Sequence, residues 1–263
     1  VGPFPYEKLA HVQSSTRYGG MENASAIFYA DKIYRGRTMS EGLIAHESAH
    51  QWFGDAVTTR EWPHVWLSEG FATYFAALWS ESAHGDSAFL DDMRRMRESV
   101  LADKMAMGKP IIDESLSDLR YVLNGLVYQK AGFTLHMLRR EVGDSAFFRG
   151  IRAYYAKYRH GNALTSDFVA EMERSSGAKL DWFFDQWMKR PGVADLTVGW
   201  RWDEVRKSLV LTVSQGTQVP PYRLNVAVDV TDARGKVQRV RVTIPAARVA
   251  TIPVALKVDT PPR

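Results

Sequence analysis

The sequence contains no cysteine among its 263 residues. Disulfide bonds and thiolate-ligated metal centres are therefore excluded, and cysteine usage leaves the redox compartment undetermined. Apolar runs are also short: none reaches the roughly 18 residues that a membrane-spanning helix requires, so we predict no such segment. The chain is nevertheless 45% hydrophobic and 12% aromatic, which is enough for a sizeable core in one large or two modest domains.

The sequence also lacks a strong excess of either sign of charge. The 34 basic and 30 acidic residues leave a net charge of +4, and the lysines and arginines are dispersed. We therefore expect neither nucleic acid nor a membrane surface as a partner. No signal peptide is visible, but the chain starts at Val1 rather than methionine and stops abruptly at Arg263. It reads as a fragment of a longer protein, so its localisation stays undetermined.

The strongest chemical motif is the pentapeptide His46-Glu47-Ser48-Ala49-His50. On a helix, residues i and i+4 share one face, so the two imidazoles can reach one point. Imidazole nitrogen is a good zinc ligand. Glu47 lies about 100° further around the helix, beside the metal, where it can serve as a general base.

A third metal ligand is predicted in the segment that follows. Eighteen residues separate His50 from Glu69, which lies near the start of a second amphipathic helix over 63–83. A buried carboxylate is costly unless it is paired or binds a metal. Three protein ligands leave a fourth position for water, as in catalytic zinc sites. The alternative is two hydrogen-bonded helix histidines and a surface glutamate, without a metal.

The helix that carries the pentapeptide is predicted over 38–54. Thr38 and Glu41 have the spacing of a capping box, and Gly54 suits the helix end.

Two further segments carry candidate residues. Gly19-Gly20-Met21-Glu22-Asn23 precedes a short strand, and its adjacent glycines allow another backbone to approach closely. Glu22 can accept a charged amine, although a glycine turn before an exposed glutamate is the commoner situation. Tyr128 lies near the start of a helix predicted over 125–142, where a tyrosine usually belongs to the core.

Together these segments resemble the gluzincin zinc aminopeptidases of the aminopeptidase N class. Gly19–Asn23 is similar to that family's G-x-M-E-N exopeptidase motif, and His46–Glu69 is similar to its zinc motif, including the eighteen-residue gap. Val127–Lys130 falls where the family carries a catalytic tyrosine in a Y-x-K segment. The family usually has Gly-Ala or Gly-Gly after that lysine, whereas this chain has Ala131-Gly132.

The resemblance implies an enzyme that removes single residues from peptides with a free N-terminus. It implies one Zn²⁺, with His46, His50 and Glu69 as the ligands. The residue that matches Glu47 is the general base in this family, and the one that matches Tyr128 stabilises the tetrahedral intermediate.

The resemblance also assigns substrate binding to the segment Gly19, Gly20, Met21, Glu22 and Asn23. Glu22 would hold the substrate α-amine. Tyr18 precedes the motif, where the family places a wall of the pocket for the first side chain.

Hydrophobic periodicity changes once along the chain. It is helical up to Lys189-Arg190-Pro191-Gly192 and alternates with a period of two beyond that point. We therefore predict an α+β protein with domains at 1–191 and 192–263. The resemblance implies a thermolysin-like, mainly helical zinc-peptidase domain for the first, and the alternation predicts a small all-β sandwich for the second. Further helices are predicted at 86–107, 144–159, 165–176 and 179–189.

Three other functions stay open. A thermolysin-type endopeptidase needs the zinc ligands but no amine anchor. The bifunctional epoxide-hydrolase branch of the family needs lipid-binding determinants that cannot be verified in this sequence. A non-catalytic scaffold on the same fold would have lost zinc ligands, which are all present here. Because the family normally has a preceding β domain and often a following helical domain, we expect this chain to pack against both and to be weakly active alone.

Overall fold

The computed structural model describes residues 1–37, 39–232, 234–254 and 256. The chain is a mixed α+β protein that divides into two compact units, Val1–Pro191 and Gly192–Arg263. Among the described residues every helix lies in the first unit, and none of these helices is long and apolar enough to cross a bilayer.

The first unit begins with a small three-stranded sheet. Strand β1 (Ala10–Ser14) is parallel to β3 (Ala26–Ala30), and the two-residue strand β2 (Gly20–Met21) pairs antiparallel with β3 on its other side. Ile27 and Tyr29 are fully buried, because alternate residues of a strand face the same side. Strand β2 is thus an edge of this sheet, and helix α1 (Asp31–Gly36) follows β3.

Helix α2 (Glu41–His50) carries the pentapeptide motif. Its N-cap is Ser40, whose hydroxyl accepts a hydrogen bond from the Leu43 amide at 3.1 Å. The predicted capping box is therefore wrong, because Ser40 occupies the N-cap position; Thr38 itself lies outside the described residues.

Helices α3 (Trp66–His84) and α4 (Asp86–Ala102) are separated only by Gly85, whose φ of 84° favours glycine. The single helix predicted over 86–107 is in fact interrupted at Asp103, and α5 (Lys104–Gly108) follows. The reason is local: the Asp103 carboxylate accepts a hydrogen bond from the Met105 amide at 2.8 Å and caps a new helix.

Tyr128 lies on a π-helical turn, Leu126–Lys130, that runs directly into α6 (Ala131–Val142). Short 3₁₀ turns occupy Trp62–His64 and Leu119–Tyr121. The other elements of the first unit are β4 (Val57–Thr59), α7 (Asp144–Tyr158), β5 (Gly161–Ala163), α8 (Thr165–Ser176) and α9 (Asp181–Met188), with β4 parallel to β5.

A cluster of buried aromatic rings supports the start of α3. Phe53, which follows α2, packs on Phe71 of α3 with ring centroids 4.5 Å apart, and Phe71 also contacts Phe168 of α8. The Trp66 indole N–H donates to the Thr165 hydroxyl at 2.8 Å. These contacts join the end of α2 to the first turns of α3, which fixes the two predicted zinc-ligand segments against each other.

The second unit contains two antiparallel sheets. Strands β6 (Leu196–Asp203), β7 (Ser208–Gln215) and β10 (Val249–Val254) form one sheet with β7 in the centre, and β8 (Leu224–Thr231) pairs with β9 (Val237–Ile244) in the other. Side chains from both sheets share one buried cluster: Leu209, Leu211, Val213, Val230, Val242, Ile244 and Val254.

Candidate metal centre and active-site cleft

Helices α2 and α3 bring three potential ligand atoms to one point. The Nε2 atoms of His46 and His50 are 3.1 Å apart. Glu69 Oε2 lies 3.4 Å from His46 Nε2 and 3.2 Å from His50 Nε2. We refer to His46, His50 and Glu69 as the ligand trio.

The geometry of the ligand trio fits a tetrahedral metal centre. Ligand atoms at about 2.0–2.1 Å from zinc lie roughly 3.3 Å apart at the corners of a tetrahedron, close to the three separations above. Glu69 is 6% exposed, and among the described residues the two imidazoles are the polar groups that face its Oε2 atom. A buried carboxylate oxygen in that position is unfavourable unless a cation lies beside it. His46, His50 and Glu69 therefore fit a zinc ion.

Contacts behind the imidazole fix the tautomer of His50. Its Nδ1 atom lies 3.1 Å from the carbonyl oxygen of Phe53, which can only accept, so Nδ1 donates and Nε2 is the nitrogen that faces Glu69 and can bind a metal. The Ser68 hydroxyl lies 3.0 Å from the same nitrogen. Partners of this kind orient a histidine ligand and increase its basicity.

The charges within the ligand trio are strongly coupled. Burial lowers the pKa of His50, but its contact with Glu69 and the charges of Glu22 and Glu47 together outweigh burial and raise that pKa to about 9. Burial would raise the pKa of Glu69, yet its contacts with the two imidazoles lower it to about 2. Without a cation the trio thus holds a proton, and metal binding would displace that proton.

Glu47 is buried beside the ligand trio, with 5% of its surface exposed. Its carboxyl group packs against Gly20 of β2, where a Cβ atom would overlap it. Burial raises the pKa of Glu47 to about 7; His50 opposes this effect, and the charge of Glu22 adds to it. Because a general base works best with a pKa near the working pH, this environment suits proton transfer near neutrality.

Tyr128 stands over the ligand trio. Its ring is nearly parallel to that of His46, with centroids 6.0 Å apart and an angle of 19° between the planes. Burial, followed by the charge of Glu69, raises the pKa of Tyr128, so its hydroxyl stays protonated and can donate a hydrogen bond. Single π-helical turns often occur at functional sites, and the one that carries Tyr128 was not predicted from the sequence.

The segment 18–23 is divided between the cleft and its rim. Gly19, Gly20, Met21 and Glu22 line the cleft, and Tyr18 lines it with 47% of its surface exposed. Asn23 is exposed and lies in the turn after β2, where its carbonyl accepts from the Ala26 amide at 2.9 Å. Side-chain ligand atoms of Glu22, Glu47 and His50 lie within 4.8 Å of one another.

Glu22, Glu47 and the ligand trio line a cleft of about 770 Å³. From Glu69 the cleft continues along α3 past Thr73, Ala77 and Ser80, and α4 contributes Arg95 and Met96 to its wall. This volume is in the range of pockets that hold small organic ligands.

The match to known proteins agrees with this geometry. Residues 2–187 match the domain of peptidase family M1. The chain belongs to this family. Among curated relatives, aminopeptidase N of Streptomyces lividans is 33% identical over 66% of the chain, and human glutamyl aminopeptidase is 30% identical over 81%. The chain spans only 22% and 24% of the lengths of these two proteins.

Two solved structures share the fold. An M1 zinc metallopeptidase from Deinococcus radiodurans, a mutant bound to a Tyr-Ser-Ala substrate, has a TM-score of 0.63 and 26% identity; the match covers 73% of this chain and 42% of that chain. Aminopeptidase A of Legionella pneumophila, in complex with aspartic acid, has a TM-score of 0.78 over 96% of this chain and 30% of that one. At 19% identity, the latter likeness concerns the fold alone.

Sequence reasoning missed two polar residues beside this candidate site, Gln51 and Asp55. Gln51 is completely buried directly after His50, and its side-chain amide donates to the Asp55 carboxylate at 2.8 Å. Burial and the charge of Glu22 raise the pKa of Asp55 to about 7. The available signal was that Asp55 follows Gln51 by four positions, but polar residues with this spacing also occur on exposed helix surfaces.

Gly70 was also missed. A Cβ atom at Gly70 would lie 2.7 Å from the Ala131 Cβ and 3.3 Å from the Val127 carbonyl oxygen. The glycine therefore lets the first turns of α3 approach the π-helical turn that carries Tyr128. The signal was its position directly after Glu69, together with the small pair Ala131-Gly132.

Proposed function

We propose that this chain is the catalytic region of a zinc-dependent aminopeptidase, which hydrolyses the first peptide bond of peptides with a free N-terminus. The observation that carries the proposal is that one cleft combines the ligand trio and Glu47 with a further carboxylate, Glu22. The names of the relatives, aminopeptidase N and glutamyl aminopeptidase, support the same activity.

His46, His50 and Glu69 would hold one zinc ion, because their ligand atoms converge at distances that suit it. Zinc bound there supplies a Lewis acid for the scissile carbonyl and lowers the pKa of water towards about 7. Phe53 and Ser68 support this arrangement by orienting the ring of His50.

Glu47 moves the proton in the proposed reaction. Its carboxylate takes the proton of the attacking water and then delivers it to the leaving amine nitrogen. The environment that raises the pKa of Glu47 to about 7 makes both transfers feasible near neutral pH. The Tyr128 hydroxyl donates a hydrogen bond to the oxyanion of the tetrahedral intermediate, which stabilises the charge that develops during attack.

Glu22 gives the site its preference for an N-terminus. A protonated α-amine placed between Glu22 and the ligand trio gains a charge-assisted hydrogen bond, and that bond is available only to an unblocked peptide. Strand β2 is an edge strand that borders the cleft. The substrate backbone can therefore lie alongside Gly20 and Met21 by strand addition.

We also propose the domain assignment that the sequence suggested. Residues 1–191 would form a thermolysin-like zinc-peptidase domain, which agrees with the arrangement of α2 and α3 around the ligand trio. Residues 192–263 would form a β-sandwich, which agrees with the common buried cluster of the two sheets. The further domains expected before and after this chain stay a prediction, because the extra length is known only for the relatives.

The first test combines metal content with peptide hydrolysis. We expect one zinc per chain and cleavage of a leucyl fluorogenic amide, with no cleavage of its N-acetylated form. Glu47→Gln should bind the same amount of zinc and lose a factor of about 10² to 10⁴ in turnover, because only the proton acceptor is removed.

Three other results of this test would point to different conclusions. Equal cleavage of both substrates would indicate an endopeptidase without an amine anchor. A folded chain that binds no zinc would refute the proposal and leave the scaffold function. Zinc binding without cleavage by this chain, but with cleavage by a longer one, would show that the neighbouring domains complete the site.

A further inference from the structure

The turn 22–25, which connects β2 to β3, is held by a buried side chain with no role in the proposed chemistry. Gln51 is 0% exposed, and its amide makes three hydrogen bonds. Its Oε1 accepts from the Ser25 amide at 2.7 Å, and its Nε2 donates to the Glu22 carbonyl oxygen at 3.0 Å. The same Nε2 donates to Asp55 Oδ2 at 2.8 Å. Both ends of the Gln51 amide are therefore engaged.

Two main-chain groups fix which end of the amide faces which partner. The Glu22 carbonyl oxygen only accepts hydrogen bonds, so the NH₂ group of Gln51 must face it. The carbonyl end must then face the Ser25 amide, which only donates. A flipped amide would lose both of these bonds, and the side chain of Gln51 consequently has one stable orientation.

The conformation of the turn depends on this support. Ser25 has a φ of 65°, in the left-handed region that side chains other than glycine rarely adopt. Such residues persist only where the surroundings hold them. The Ser25 amide is held by Gln51, and its carbonyl oxygen accepts from the Ala10 amide at 2.9 Å.

We propose that Gln51 is a positioning residue, which sets the place of the Glu22 carboxylate relative to the metal centre and thereby gives the site its selectivity for a free α-amine. Gln51 directly follows the ligand His50, and it bonds the main chain of Glu22 itself. Movement of Glu22 relative to the ligand trio is therefore restrained at its own carbonyl group. The inference rests on the proposed function, since it assigns to Glu22 the binding of the amine.

The variant that tests this is Gln51→Met, which keeps the volume of the side chain and removes all three hydrogen bonds. The probes are leucine hydroxamate and its des-amino counterpart, 4-methylpentanehydroxamic acid, whose binding to the zinc-loaded chain is measured by calorimetry. The wild type should bind the amine-bearing probe more tightly. We define the binding ratio as the dissociation constant of the des-amino probe divided by that of leucine hydroxamate. In Gln51→Met this ratio should fall about tenfold, because the charge-assisted hydrogen bond to the amine is lost and the des-amino probe never made it.

Hydrogen exchange supplies a second readout that requires neither metal nor activity. The Ser25 amide should exchange faster in Gln51→Met than in the wild type. Gln186→Met is the matched control, because Gln186 is another buried glutamine, in α9, and does not line the cleft. It should leave the binding ratio and Ser25 exchange unchanged.

The outcomes separate this inference from the proposed function. An unchanged binding ratio in Gln51→Met, with or without a loss of stability, would overturn the positioning role. Unchanged Ser25 exchange would overturn the support of the turn. If the wild type itself shows no preference for the amine-bearing probe, the proposed aminopeptidase function fails, and the role of Gln51 in selectivity fails with it.

Discussion

Substitution of Gly70 by alanine tests how the two halves of the site are held together. The added Cβ would lie 2.7 Å from the Ala131 Cβ, whereas carbon atoms in contact are about 3.5–4.0 Å apart. The π-helical turn and α3 must therefore separate by roughly 1 Å. The Val127 carbonyl oxygen, 3.3 Å from the same Cβ, belongs to backbone and cannot rotate away.

The expected cost follows from this displacement. Overpacking costs about 1–3 kcal/mol, and the better helix propensity of alanine returns about 1 kcal/mol. We therefore expect a loss of at most about 2 kcal/mol in the free energy of unfolding. Activity should suffer more, because Tyr128 follows Val127 directly and a misplacement of about 1 Å can reduce turnover up to roughly a hundredfold.

The assay measures unfolding by urea, zinc content and kcat for the leucyl amide in the same preparations. Gly70→Ala should keep its zinc and lose kcat. The double variant Gly70→Ala/Ala131→Gly removes the closest of the overlapping atoms and should recover part of both losses, which a double-mutant cycle quantifies. Gly108→Ala is the control, since a Cβ at that glycine has no neighbour within 4 Å. Wild-type kcat and stability in Gly70→Ala would refute the argument.

Two further predictions concern metal and pH. Removing zinc with a chelator should lower the melting temperature, because zinc at 100 times its Kd stabilises the native state by about 2.7 kcal/mol; an unchanged transition would contradict the ligand trio as the binding site. Asp55 has a folded pKa of about 7 against 3.8 in the unfolded chain, through burial and Glu22. Between these two pH values the native state therefore binds more protons than the unfolded state. The free energy of unfolding of the wild type, relative to that of Asp55→Asn, should fall as pH rises from about 4 to 7. Urea titrations in which the stabilities of the two proteins change in parallel with pH would contradict this.

Local patterns explain why much of the site could be predicted from the sequence. The i, i+4 spacing of His46 and His50 places two imidazoles on one face of any helix, so only the helix had to be recognised. The period-two alternation beyond Pro191 falls on β7, β8 and β9, because alternate residues of a strand share one face. The boundaries at Asp103 and Ser40 were missed because a single capping hydrogen bond decides them, and hydrophobic periodicity is insensitive to one polar residue.

The sequence alone determined the residue types that can bind a metal, transfer a proton and receive an amine, because spacing along one helix and motif identity are properties of the chain. Tertiary structure decided the distances between segments far apart in sequence. Glu69 reaches His46 because Phe53 packs on Phe71, Tyr128 reaches His46 because Gly70 permits a close approach of α3, and the turn after Glu22 is held by Gln51. Each of these is a packing or hydrogen-bond contact between distant residues, and such contacts leave no periodic trace in the sequence.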